Sequence, residues 1–143
     1  MTQSKNDGPR ISFWAPSGGL FIAFAGISGV TATAMAAFAS HGLDPATQAH
    51  RIELVHTGVQ MDYAHLVAML GVAALAAMAR LQMAWALAAQ WLFLAGGMLF
   101  AGNLYLLGLG APAWVGGSVP VGGMAYILGW VCLTVAALLK YRR

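Results

Sequence analysis

Apolar residues gather into four long stretches, residues 18–39, 58–79, 84–107 and 119–139, and almost every charged side chain stands between or outside them. A helix that crosses a hydrocarbon core of about 30 Å needs about 20 mostly apolar residues. Each stretch meets that length, and nothing of soluble-domain size remains between them. The pattern predicts an all-α integral membrane four-helix bundle with both termini cytoplasmic. A tail over residues 1–17 precedes a single four-span domain at 18–139, and a basic terminus closes the chain at 140–143.

The connections add detail. Asp44-Pro45-Ala46-Thr47 reads as a helix start, with Pro just after a capping Asp. A short external helical segment is therefore expected between spans 1 and 2, running through Ile52, Val55 and Val59 into the second span. The third connection, residues 108–120, is rich in Gly and Pro, carries no charge and is expected to lie low on the membrane surface. The first span also resembles a signal peptide: Lys5 and Arg10 precede it, and Ala37-Phe38-Ala39 has the small residues of a cleavage site. Its apolar run is longer than an ordinary signal core, so it is read as a retained span.

Composition strengthens the membrane reading. Charged residues make up 8% of the chain, against about 25% in an average soluble domain. The 18 glycines suit close helix packing in lipid. Ala25/Gly29, Ala32/Ala36, Gly97/Ala101 and Ala125/Gly129 repeat at four-residue spacing, either to seal the bundle or to dock it on a partner. Lys5, Arg10, Arg80, Lys140, Arg142 and Arg143 fall on one side of a four-span topology, and Arg51 alone falls on the other. Basic residues favour the cytoplasmic side, which sets the expected orientation. Trp14, Trp85 and Tyr141 are expected at the inner interface and Trp114 at the outer. The lone Cys132 leaves no intramolecular disulfide to form. A net charge of +3 spread over loops and tails gives no basis for nucleic-acid binding.

The polar residues inside the spans carry the remaining information. His41, Gln60, Asp62, His65, Asn103 and Tyr105 form a candidate polar cluster on the outer side, while the inner halves of the spans read as almost pure Ala, Leu, Val and Met. Asp62 and His65 are three apart and share a helix face with Gly58 and Met69; Glu53, His56 and Gln60 lie roughly opposite. An ionisable residue in a span is costly and usually points inward, paired. The Asp62–His65 pair has two readings, a proton-exchanging site or a hydrogen-bonded anchor between helices. Facing His41 and His65 could hold a haem, but no second histidine pair exists at that depth. A zinc or copper site from His41, His56, Asp62 and His65 follows no known spacing. No nucleophile elbow or triad context surrounds the serines. No catalytic residue, cofactor or metal is assigned.

Several segments resemble a known family. Ala37-Phe38-Ala39-Ser40-His41-Gly42-Leu43 looks like its "AFGAHGL". Thr57-Gly58-Val59-Gln60 with His65 is similar to "TAVQYQMYHALALL". Leu99-Phe100-Ala101-Gly102-Asn103-Leu104-Tyr105 is similar to "LFSGSLYL", and Pro120-Val121-Gly122-Gly123 through Gly129-Trp130 to "TPLGGLLFLAGW". On these the chain is identified as a member of the YgdD-like, transmembrane-protein-256-like family of small four-span proteins (domain of unknown function 423). The resemblance covers about residues 20–139 and implies a fold and a membrane location but no reaction. Ser40 replaces the family's Ala, Asn103 its Ser, and Asp62 stands where Gln is usual, so any role of the Asp62 carboxyl belongs to this chain.

The resulting expectation is a non-enzymatic accessory or scaffold subunit of a larger membrane complex, respiratory or otherwise. Its partners are the lipid bilayer and other membrane subunits or further copies of itself, with no nucleic acid. Two alternatives stand beside it: a small oligomeric transporter or channel using Asp62 and His65, and a haem- or quinone-associated redox protein. A bacterial inner membrane is expected, ahead of a mitochondrial one, because the first residues lack the Arg-rich, acid-free character of a transit peptide.

Overall fold

The computed structural model describes residues 12–142. The tail at 1–11 with Lys5 and Arg10, and the terminal Arg143, lie outside the described residues. Four helical segments are long and apolar enough to cross a membrane: Gly19–His41, Pro45–Ala77, Met83–Gly108 and Ala113–Tyr141. The first, α1 (Gly19–His41), packs mainly against α2 (Pro45–Ala77). The third span comprises α3 (Met83–Gly96), a π-helical turn (Gly97–Gly102) and α4 (Asn103–Gly108), and it packs mainly against α5 (Val119–Tyr141).

Helix α2 begins where the sequence places it. The Asp44 carboxylate accepts the N–H of Ala46 at 3.0 Å and the Thr47 hydroxyl at 2.9 Å, and Pro45 occupies the first turn. Both features suit a helix N-terminus, where donors lack partners and Pro needs none. The expected external segment is continuous with the second span, apart from a kink at Gln48. Its 33 residues reach about 50 Å at 1.5 Å per residue, so α2 overshoots the hydrocarbon. Across the gap, Arg51 Nε donates to the Gly108 carbonyl at 2.7 Å and ties the third connection to α2. That connection forms a 3₁₀ turn at Ala113–Ser118 with no buried residue.

Small residues set the helix spacing. Ala25, Ala32, Gly97, Ala101 and Gly129 are buried inside the bundle, whereas Gly29, Ala36 and Ala125 are half-buried, so each repeat has at least one member that seals the protein itself. A Cβ on Gly122 of α5 would stand 2.5 Å from the Phe100 backbone nitrogen, which places two helix backbones in direct contact. The main core gathers Phe21, Ala25, Met69, Val72, Ala89, Phe93, Tyr126 and Ala136 from all four spans.

Residues 12–18, just before α1, pack on the bundle. Pro16 is buried, and the Trp14 ring stacks on Trp91, eight residues into α3, at 6.4 Å between centroids.

Candidate functional site

The second helix presents one face to its neighbours: Gly58, Asp62, His65 and Met69 are buried, whereas Glu53, His56 and Gln60 are exposed. A Cβ on Gly58 would come within 2.8 Å of the Tyr105 ring. The missing side chain therefore lets that ring lie against α2, and its hydroxyl donates to Asp62 Oδ2 at 3.0 Å. Ser28 of α1 is buried beside the same carboxyl. Asp62 is thus a contact point for three spans.

One turn along, His65 is held on four sides. Its Nδ1 lies 2.6 Å from the Met61 carbonyl, and its Nε2 lies 3.1 Å from the indole Nε1 of Trp130. A carbonyl only accepts and an indole N–H only donates, so the ring is neutral with its proton on Nδ1. The Tyr126 ring stacks on the imidazole at 3.5 Å and 12°, seated against Gly96, where a Cβ would collide with it. Phe93 closes another side at 5.7 Å. Trp130 stands eleven residues from either end of α5 and is 45% exposed. At that depth no water is at hand for an indole N–H, and His65 supplies the acceptor.

The expected Asp62–His65 pair does not form: each side chain is bonded elsewhere, Asp62 to the third span and His65 to the fourth. Nor is the polar chemistry confined to the outer end, because Trp130 carries it to the middle of α5. Gln90 extends it further. This residue is fully buried, and its amide donates to the Pro16 carbonyl at 2.8 Å and the Met69 carbonyl at 3.0 Å. It joins α3, α2 and Pro16 before α1, a polar link within an inner half expected to be almost pure Ala, Leu, Val and Met. A lone amide within an Ala- and Leu-rich run was the available signal, since such a group needs partners in lipid. Two buried polar atoms have no partner among the described residues, Gln90 Oε1 and the Tyr126 hydroxyl.

The other cluster candidates lie apart. His41 is exposed at the last residue of α1, and Gln60 is exposed on the opposite face of α2. Asn103 donates to the Leu99 carbonyl in the π turn at 2.8 Å and to the Ser118 hydroxyl at 2.7 Å. It braces the third connection and does not bond to Asp62. His41 lies thirteen residues beyond Ser28, about 20 Å along α1, so it cannot share a haem with His65. Binding iron through Nε2 would also break the bond to Trp130. Among the described residues no three His, Cys, Asp or Glu side chains come close enough to hold a metal ion.

A family model described as "Protein of unknown function (DUF423)" matches residues 35–123, the stretch that holds Gly58, Asp62, His65, Gln90, Asn103 and Tyr105. The chain belongs to the DUF423 family. Among its relatives, UPF0382 membrane protein YwdK of Bacillus subtilis (strain 168) is 34% identical over 122 residues, 85% of this chain and 98% of the relative. UPF0382 inner membrane protein YgdD of Escherichia coli (strain K12) is 32% identical over 120 residues, 84% of this chain and 90% of the relative. A UPF0382 membrane protein of Haemophilus influenzae is 32% identical over 113 residues, covering 79% and 89%. No solved structure matches. With four membrane-length helices and relatives of this kind, the DUF423 chain is a small multi-pass protein of the bacterial inner membrane.

Proposed function

We propose that this DUF423 protein works without catalysis, as an accessory or scaffold subunit of a larger membrane assembly, a respiratory complex being the host to test first. One observation carries the reading: four polar side chains within the spans make bonds between segments. Tyr105 reaches Asp62, Trp130 reaches His65, Gln90 reaches Met69 and Pro16, and Asn103 reaches Ser118. Such bonds fix the relative rotation of helices, which suits a rigid part better than a reacting centre. A membrane-facing groove of about 670 Å³ on α1 and α2, lined by Gly26, Gly29, Val30, Thr33, Ala34, Ala37 and Tyr63, offers small side chains over which a partner subunit's helix can approach closely.

The test is mild-detergent extraction of the tagged chain from its own membrane, then native sizing and mass spectrometry. Co-migration with stoichiometric larger subunits is expected. Migration as a monomer or homo-oligomer refutes the accessory reading.

A buried carboxyl in a span favours a second reading, an oligomeric transporter. It predicts liposome ion flux that Asp62→Asn abolishes; flux indifferent to that change rules the carboxyl out.

A further inference from the structure

The bundle end that holds the α2–α3 turn and the C-terminus carries a cavity that none of these contacts explains. Ala79 takes a left-handed φ of 53°, which tightens the turn, and Arg80 N–H bonds back to the Leu75 carbonyl at 2.9 Å. The Gln82 N–H then reaches the Ala136 carbonyl of α5 at 3.0 Å. These bonds press Leu81 into the core at 4% exposure and leave Arg80 outside. Between the turn and the end of α5 lies a cavity of about 400 Å³, lined by Leu81, Gln82, Met83, Leu139 and Lys140.

Its walls differ in chemistry. Leu81, Met83 and Leu139 are apolar, whereas Lys140 is cationic and exposed Arg80 directly precedes the lining. Gln82 uses its amide oxygen to accept the Trp85 N–H at 2.9 Å, which leaves its NH₂ as a donor. The acidic residues among those described are elsewhere. Asp44 and Glu53 belong to the opposite end, and Asp62 is buried in α2 against Tyr105. The cations at this end therefore face no carboxylate of the described chain. Exposed Trp85 and Tyr141 flank the same end, as aromatic rings do at the boundary between hydrocarbon and headgroups. An apolar wall toward the hydrocarbon with a cation at headgroup level matches an anionic amphiphile, and basic pockets between spans are known to suit anionic lipid headgroups.

We propose that this cavity binds one anionic phospholipid, with the phosphodiester on Lys140 beside Arg80 and an acyl chain along Leu81, Met83 and Leu139. A free phosphate ion shares the headgroup chemistry but leaves the apolar wall unused. Arg142 carries the same charge as Lys140 and lies outside the lining, so it separates a site from a diffuse positive surface.

The experiment is native mass spectrometry of the full purified chain titrated with phosphatidylglycerol or phosphatidylcholine, with inorganic phosphate as competitor. The expected result is one retained phosphatidylglycerol, weaker retention of phosphatidylcholine, and no displacement by millimolar phosphate. Lys140→Gln lowers phosphatidylglycerol affinity about tenfold, the loss of one charge-assisted contact, and Arg142→Gln changes it less than about twofold. Both side chains are exposed, so neither variant disturbs the fold. Equal losses from the two variants, equal retention of the two lipids, or displacement by inorganic phosphate overturns the proposal.

Discussion

The Tyr105 hydroxyl donates to Asp62 Oδ2 at 3.0 Å, while the Tyr126 hydroxyl, also buried, bonds to nothing among the described residues. The two tyrosines therefore differ in what removal of one oxygen does. A buried hydrogen bond broken from one side leaves its partner stranded. A hydroxyl with no partner has only its desolvation to lose. Tyr105→Phe is expected to cost about 1–3 kcal/mol, and Tyr126→Phe to be neutral or stabilising. Asp62→Asn retains an acceptor for Tyr105 and should cost less than Tyr105→Phe. Unfolding by SDS in mixed micelles ranks the three; a Tyr126→Phe loss larger than that of Tyr105→Phe would contradict this geometry.

Glycines at helix contacts and glycines facing lipid separate in the same assay. A Cβ on Gly122 meets the Leu99–Phe100 backbone, which cannot swing aside, and one on Gly58 meets the Tyr105 ring at 2.8 Å. Gly122→Ala and Gly58→Ala are expected to destabilise by about 1–3 kcal/mol, the former more. Gly71 has open space around its Cβ position. Gly71→Ala should therefore gain about 0.5–1 kcal/mol from lost backbone freedom in the unfolded chain. A loss at Gly71 comparable to that at Gly122 would show that the helix faces are assigned wrongly.

Gln90 holds the Pro16 carbonyl across the bundle. Gln90→Leu keeps the volume and removes the donor, so the segment at 12–18 should loosen while the spans persist. Hydrogen exchange at Gly18 and Leu20 reads this directly, since their N–H groups bond to the Ala15 and Phe13 carbonyls. Faster exchange confined to that segment is expected, and unchanged exchange there refutes the brace.

The four spans were legible because hydropathy over about 20 residues is a strong signal. Their ends were less so. Apolar composition marks the second span only from residue 58, and it was the capping Asp44 with Pro45 that gave the true start of α2. The π turn at Gly97–Gly102 left no trace in periodicity. Helical spacing correctly put Gly58, Asp62, His65 and Met69 on one buried face. Placement at a common depth did bring Tyr105 to Asp62, but the partners of His65 depend on the rotation of α5, and Tyr126 and Trp130 are aromatic residues in an apolar run. An assumed common depth drew His41, Gln60 and Asn103 into one cluster, but His41 ends α1 about 20 Å from the level of Ser28, and helix rotation turns Gln60 and Asn103 away from Asp62. Gln90 is hard to read from sequence because a single amide hardly lowers the hydropathy of its run.

The central claim is that the intramembrane polar residues act as bonds between helices, and His65 with Trp130 is its sharpest case. A double-mutant cycle of His65→Ala and Trp130→Phe, with unfolding followed in bilayer-like micelles, isolates the pair. The account predicts a favourable coupling of about 0.5–1.7 kcal/mol, the range of interhelical hydrogen bonds in membranes. Additive single losses, with no coupling between the two positions, would contradict it.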